Sequence, residues 1–353
     1  MVRTITNKHV QQCLDPETVR NHLEESYHAL AQGEAINAPR QDTVLPLGNN
    51  NAYVFKTMVG VMAPHDVAVL RVQSDHIRWQ NDKKHKVPIH GDEFVQYIHV
   101  YDIETGIPIL RLPDGIISKY RVAGTSAVAA QKMAGSDPSR MGVLGSGWQA
   151  GSHVEAFCDL YDLERVNVYS PTADNREQFT DIWQDTLDTT VKAVDEPKAV
   201  FEKADLVICA TNSMTPVFDP DWIQPGTHIT SIKNPEIPDS AFLKADRVVI
   251  HSTNQTRGPE NVVPRGSTFD DRLNDAWNVE ALNISELRDL ASEVSDPRKR
   301  HPDDITLFQN NIGMGLQFAA LGRYLYTEAV ENDLGEERDQ ETFTQSATGC
   351  QRQ

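Results

Sequence analysis

The stretch Met141–Phe157, MGVLGSGWQAGSHVEAF, constrains the fold more than any other. A short apolar run meets Gly145-Ser146-Gly147-Trp148-Gln149-Ala150, which fits G-x-G-x-x-[GA], and a helix-like segment follows. Each small residue answers a different need. Gly145 permits a tight turn, Gly147 lets the backbone approach a pyrophosphate, and Ala150 lets helix and strand pack closely. The start of the helix offers free N–H groups and partial positive charge to an anion. A ligand-free bend could use the same glycines, so context decides. The motif opens a series of apolar strands, RMGVLGSG, RVNVYSP, ADLVICATNS, THITSI and DRVVIHS, separated by helical or mixed segments. Such alternation implies parallel βαβ units, the setting in which this turn binds a dinucleotide. No GK[ST] follows, which excludes a P-loop, and Ser146 in L-G-S-G-W is not the serine of G-x-S-x-G.

The second strand bears on the choice of dinucleotide. An NAD site has an acid about 20 residues beyond the third small position. Here that place falls on Ser170, with no acid until Asp174, while Ser170, Thr172 and Arg176 can receive a 2′-phosphate. The alternative for Thr172 is a helix cap. The expectation is NADP(H) in preference to NAD(H). CATNSMTPVF places Ala210, Thr211 and Asn212 at the carboxyl end of a strand, on the nicotinamide side of such a site.

The first third reads differently. PETVRNHLEESYHALAQGEA has Val19, Leu23, Tyr27 and Leu30 on one helical stripe, with Gly33 as a stop. From about 40 to 112 the segments AYVFKTMVGVM, DVAVLRVQS, FVQYIHVYD and PILRLP are short and β-rich, and YDIETGIP reads as a hairpin with Thr105-Gly106 at its tip. A mainly antiparallel sheet is expected there. IISKYRVAGTSAVAAQKMA reads as a long helix, ITLFQNNIGMGLQFAALGRYLYTEAVE as a closing helix, and ENDLGEERDQETFTQSATGCQRQ as a frayed polar tail.

With 33 Lys+Arg against 51 Asp+Glu among 353 residues, the net charge is −18. That excludes nucleic acid and anionic membrane surfaces as partners, though not a small anion in a locally positive pocket. Solubility and a salt-adapted host both account for the acid excess. No apolar run reaches the roughly 20 residues of a membrane span, and the N-terminus lacks a signal-peptide core, so a cytoplasmic location is expected. Cys13, Cys158, Cys209 and Cys350 are scattered and read as idle thiols. His65, His76, His90, His99 and His153 show no ligand spacing, so no metal site is expected, and NDKKHK reads as a solvated loop.

GVLGSGWQA, VYSPTADNRE, ADLVICATNSMTPVF, QPGTHITSI, ITLFQNNIGMGLQ and ETGIPILRLPDGIISKYRVAGTSAVAA together resemble the ornithine cyclodeaminase/mu-crystallin family, from about residue 35 to 335. The resemblance implies an α/β fold: a Rossmann dinucleotide-binding domain, residues 119–317, and a smaller α+β substrate and dimerisation domain with a mainly antiparallel sheet, residues 1–118 with 318–353. It implies a homodimer, a small amino or imino acid substrate, and cofactor contacts that also include Ile232 and Gly313. In the family, two arginines and a lysine hold the substrate carboxylate, and an acid at a strand end handles the nitrogen. The arginines match Arg40 and Arg121, and the lysine position falls at Arg71. An arginine can grip a carboxylate bidentately but does not readily give up a proton. In an apolar strand Arg71 needs a partner, for which Asp75 is at hand. No aspartate stands where cyclodeaminases have one. Glu236 is nearest, with Lys233 beside it and Asp239 behind. Each arginine, and Glu236, also has a plain surface or structural reading. These departures argue against strict ornithine cyclodeaminase activity. What the resemblance implies is an NAD(P)-dependent imine (ketimine) reductase or amino acid dehydrogenase with Arg71 and Glu236 as catalytic residues. The alternatives are a cyclodeaminase releasing ammonia and an NADPH- or ligand-binding protein with little turnover.

Overall fold

The computed structural model describes residues 1–80, 83–91, 93–213, 215–254, 279 and 282–345. Cys350, Met214, Asn81, Asp82 and residues 346–353 of the tail lie outside the described residues.

Two sheets organise the chain. The first is built from β1 (Val2–Thr4), β2 (Ala35–Asn37), β3 (Gln41–Gly48), β4 (Asn51–Met62), β5 (Val67–Gln80), β6 (Lys83–Val87), β7 (Val95–Asp102) and β8 (Pro108–Pro113). A late strand, Glu336–Arg338, completes it by pairing antiparallel with β1. Apart from the parallel β1–β8 pair, all its pairings are antiparallel. β4 and β5 show why. Alternate residues Ala52, Val54, Met58 and Met62 on β4 are buried, as are Val67, Val69, Ile77 and Trp79 on β5, so one face of the pleat turns inward. On that face lies the closing helix Gly315–Glu331, and α1 (Asn7–Cys13) and α2 (Pro16–Ala31) pack against that helix. α2 begins where Asp15 accepts a hydrogen bond from the Thr18 N–H at 2.8 Å, with Pro16 in the first turn. Val19, Leu23 and Tyr27 are buried, and Gly33 ends the segment at φ +76°.

α3 (Gly115–Met133) leads into the second sheet. Its strands are β9 (Arg140–Leu144), β10 (Arg165–Tyr169), β11 (Thr190–Ala193), β12 (Leu206–Cys209), β13 (His228–Ser231), β14 (Arg247–Ile250), β15 (Arg288–Asp289) and β16 (Thr306–Gln309). The order is β11-β10-β9-β12-β13-β16-β14-β15, parallel throughout. Helices α4 (Trp148–Leu160) and α5 (Ala173–Thr186) follow β9 and β10. β9 is flanked by β10 on one side and β12 on the other, so the strand order reverses there, and the crevice outside the carboxyl end of β9 is where such sheets bind ligands. One apolar cluster, with Val143, Val154 and Ile208, fills one side of the parallel sheet, and another, with Val207, Ile229 and Phe242, fills the other. A third runs from the first sheet through Tyr27 and Phe318 to Phe308 on β16, joining the two halves.

Three expectations need correction. Residues 306–309, read as the start of the closing helix, form β16 in the middle of the parallel sheet; the helix begins only at Gly315. A short apolar run buried on all sides carries no period to separate strand from helix. The tail is not wholly frayed, because Glu336–Arg338 is a sheet edge whose Glu337 meets Arg3 at 2.8 Å. NDKKHK is not a solvated loop throughout: Lys83–Val87 pairs with β5 as β6.

Candidate active site

The carboxyl end of β9 opens into a cleft of about 830 Å³. Gly145, Ser146, Gly147, Trp148 and Gln149 form one wall, Ser170 and Thr172 one end, and Ala210, Thr211, Asn212 and Ile232 the other. Gly145 holds φ +118°, and a Cβ there would overlap the carbonyl oxygen of Ala210, so only glycine fits. At Gly147 a Cβ would meet nothing within 4 Å. Its bare face looks into open space, as close approach of a ligand backbone requires. Gly147 caps α4 without a side chain, which leaves the first N–H groups of that helix to an anion. Ala150 is fully buried against the core rather than in the cleft. Thr172 stands at the N-cap of α5 but its side chain makes no cap bond. Asn175, Pro197, Ser213 and Val217 also line the cleft and were not anticipated. Arg176 does not line it: its guanidinium donates to the Ser170 carbonyl at 3.1 Å and to Asp195 at 2.7 Å.

A second set of polar groups lies between the first sheet, α3 and the closing helix. Arg40, Arg71 and Arg121 are brought together there, close enough that the first two depress the basicity of the third. Two of them are paired. Arg40 grips Asp42 with two bonds of 2.7 Å. Arg71, only 5% exposed, donates Nε and Nη2 to Oδ2 of the fully buried Asp114 at 2.8 and 2.5 Å. Its partner is therefore not Asp75. Asp114 occupies the N-cap of α3 but makes no cap bond, because its carboxylate is spent on Arg71 and the Ser118 hydroxyl.

Arg121 is different. Among the described residues it has no acidic partner. Nη1 donates to Gln317 Oε1 at 2.8 Å, and Nε is buried with no partner at all. The guanidinium lies on the Phe318 ring, 5.0 Å from its centroid, with Arg71 at 5.6 Å from the same ring. Burial first, then Arg71, lowers its pKa to about 10. A buried cation short of a counter-ion and of one hydrogen bond is a receptor for a carboxylate. Gly313, expected at the dinucleotide, sits instead against this guanidinium, where a Cβ would press on Nη1.

The two regions are continuous. Asn310, just after β16, donates its backbone N–H to the Ser231 carbonyl at 2.8 Å and Nδ2 to the Val122 carbonyl at 3.4 Å. It thus ties the strand end beside Ile232 to the residue after Arg121. Glu236 is fully buried and does not line the cleft. Its carboxylate accepts from the Thr211 N–H, from Ser231 Oγ at 2.9 Å and from the Lys233 N–H at 3.1 Å, and burial raises its pKa. It holds two loops in place.

Lys86 was passed over because its surroundings read as loop. From β6 its ammonium reaches Asp75 at 3.3 Å, and it feels the charges of Arg71 and Asp114. Its side chain is 40% exposed, so it stands at the rim of the arginine site, and burial lowers its pKa from the ordinary lysine value. Only the β5–β6 pairing reveals this lysine; nothing in KKHK distinguishes one cation from the next.

A parallel sheet with a glycine turn at its switch point, joined to a second sheet that carries an arginine cluster, defines a two-part dinucleotide-binding enzyme fold. The chain belongs to the ornithine cyclodeaminase/mu-crystallin family, whose sequence model matches residues 4–333. It is 26% identical over 305 residues to the Delta(1)-pyrroline-2-carboxylate reductase of Bacillus cereus, spanning 83% of this chain and 87% of the relative. It is 25% identical over 304 residues to the NAD(P)H-dependent anabolic L-arginine dehydrogenase of Pseudomonas aeruginosa, spanning 84% and 88%. The structure of Thermococcus litoralis Delta(1)-pyrroline-2-carboxylate reductase in complex with NADH and L-proline superposes with a TM-score of 0.76 at 20% identity, over 96% of this chain and all of that one.

Proposed function

We propose that this protein is an NAD(P)-dependent oxidoreductase that reduces the C=N bond of an imine derived from a small 2-oxo acid to the amino acid, or runs the reverse reaction. The observation that carries the reading is Arg121, a buried guanidinium without an acidic partner among the described residues, joined through Asn310 to the end of the dinucleotide cleft. The glycine turn and the first N–H groups of α4 would hold the pyrophosphate, and Ala210–Asn212 and Ile232 the nicotinamide end. When bound, the dinucleotide supplies or accepts the hydride. Arg121 takes the substrate carboxylate, with Arg40 and Arg71 held beside it by Asp42 and Asp114. Lys86, rather than the buried Glu236, is the group placed to give a proton to the nitrogen. Glu236 acts at one remove, fixing Thr211 and Lys233 where substrate and cofactor meet.

NADP(H) is preferred in this reading. Ser170 stands where an acid would repel a 2′-phosphate, and Arg176 lies beside it, held by the exposed Asp195 that a phosphate would displace. The protein works as a homodimer paired through the outer face of the first sheet. There Ile36, Leu45, Phe55, Val59 and Val95 are exposed on the side of the sheet turned away from the closing helix.

The deciding experiment offers purified protein Delta(1)-pyrroline-2-carboxylate, other cyclic imines, and mixtures of 2-oxo acids with amines. NAD(P)H oxidation matching amino acid formed is the expected result, with NADPH used better than NADH and that preference lost in Arg176→Ala. Ammonia release from ornithine without net NAD(P)H consumption, or cofactor binding without turnover, would overturn the reading.

A further inference from the structure

A second cluster of reactive side chains lies away from the cleft. His22 and Glu25 project from one side of α2, three residues apart, and His65 closes the short turn between β4 and β5. One ligating atom of each lies within 4.8 Å of the other two. His65 Nε2 already meets a Glu25 carboxylate oxygen at 2.9 Å. His22 Nδ1 is buried and has no hydrogen-bond partner. His22 and His65 line a cavity of about 360 Å³ with Asp66, Tyr324 and Thr327.

We propose that His22, Glu25 and His65 form a binding site for a divalent transition-metal ion, with zinc as the cation that suits them, which clamps α2 to the β4–β5 turn. Two imidazoles and one carboxylate are a donor set for zinc-like ions rather than for calcium or magnesium, which take oxygen ligands. Three protein ligands leave a fourth position for water. Zinc–nitrogen distances of about 2.0–2.1 Å place tetrahedral ligands about 3.4 Å apart. The cluster therefore needs a contraction on the order of 1 Å, within reach of side-chain rotation.

The surroundings hold the ligands for this. The Ala63 N–H donates to the Glu34 carbonyl at 3.0 Å and the Asp66 N–H to the Ala63 carbonyl at 3.0 Å, which pins the turn bearing His65. Asp66 completes that turn at φ +49°. The Tyr324 ring lies 4.8 Å from that of His22, and its hydroxyl is anchored on the Cys13 carbonyl at 3.0 Å. Arg323 also lines the cavity, but its guanidinium is turned to Asp102 at 3.4 Å. Linear spacing hid the site, since His65 comes from a different element than His22.

The test uses the full-length protein, stripped of metal by a chelator and free of any added histidine tag. Zinc is titrated in competition with a chromophoric chelator, and cobalt is titrated with its visible spectrum recorded. The expected result is one equivalent bound per chain, a four-coordinate cobalt spectrum, and a rise in melting temperature with zinc. His65→Ala, at a half-buried position, and Glu25→Gln, at an exposed one, should weaken binding by more than about tenfold, since even loss of a group behind the ligands costs 10–100-fold. His301→Ala, on an exposed loop, should change nothing. Absence of stoichiometric binding, or binding equal in wild type, His65→Ala and Glu25→Gln, would overturn the proposal. Because the readout is metal binding, failure here leaves the oxidoreductase reading intact.

Discussion

Arg121 and Lys86 divide the work of the arginine site, and each has its own experimental signature. Arg121 spends one N–H on Gln317 and keeps another unpaired. Its truncation removes the one cation of this site that, among the described residues, no acid has already taken. Arg121→Ala should lower kcat/KM by roughly 30- to 1000-fold, about 2–4 kcal/mol in the range measured for buried charge pairs, with KM carrying most of it. Steady-state kinetics check this, and unchanged turnover would mean that the carboxylate binds elsewhere. For Lys86 the signature is a pH profile. As a proton donor it works while charged, so imine reduction should fall as pH rises through its pKa, which burial sets below the ordinary lysine value. Lys86→Met should remove that alkaline limb and reduce kcat, and Lys86→Arg should move the limb upward. A limb that stays in place in Lys86→Met would assign the proton to another group. Glu236 shows why an acid at a strand end is a poor guide by itself. The residue type and place are right, yet its oxygens are committed to the Thr211, Ser231 and Lys233 groups around it.

At the scale of elements, the site depends on how the closing helix meets the first sheet. β4 and the helix N-terminus cross at Gly60 and Gly315, where a Cβ on either would overlap the other's backbone or that of Val59. This contact seats Gln317 and Phe318 against Arg121. Gly60→Ala should destabilise the protein by roughly 1–3 kcal/mol, as overpacking does, and should also raise KM because the helix must withdraw. Urea unfolding together with kinetics checks this. Wild-type stability in Gly60→Ala would show that the crossing can relax. The same helix explains the misread boundary at residue 306. The segments on either side of Asn310 are both apolar and both buried, and only pairing with β13 and β14 makes the first a strand.

For the whole molecule, a net charge of −18 surrounds a positive interior site. A small anion is therefore drawn in by local charge against the overall field. Sensitivity to acid follows from burial. His153, His228 and His251 are buried and neutral, with pKa values lowered to about 4, about 3 and about 4, chiefly by desolvation. His251 donates Nδ1–H to the Ile312 carbonyl at 2.5 Å and accepts at Nε2 from the Tyr27 hydroxyl at 2.9 Å, in the same network that reaches Gln317. In the unfolded chain each histidine takes a proton near pH 6.5, whereas in the fold it does not. Stability is thus fully present above about pH 6.5 and is lost as pH falls toward the folded-state values. By pH 5 each such histidine should cost about 2 kcal/mol at about 1.4 kcal/mol per unit. Denaturant midpoints at pH 7.5 and 5 check this, and equal midpoints would mean that these rings are protonated in the fold.

What could be read from the linear chain was whatever local chemistry dictates. Gly145 marks a turn that no other residue can make beside Ala210, Gly147 leaves the backbone bare toward the cleft, the segments from 40 to 112 are short and β-rich, and Val19, Leu23 and Tyr27 stripe a helix. These patterns identify the dinucleotide half and the antiparallel half because each rests on neighbours in sequence. Arg40, Arg71 and Arg121 could be named through the resemblance to a family, but not their partners. Tertiary structure alone decided that Asp114 takes Arg71 while Asp75 takes Lys86, that Arg121 is left short of an anion, that Glu236 faces inward, and that His22, Glu25 and His65 converge. The physical reason is common to all of them. The state of a buried charge is set by which groups surround it in space, and those groups come from strands and helices tens to hundreds of residues apart.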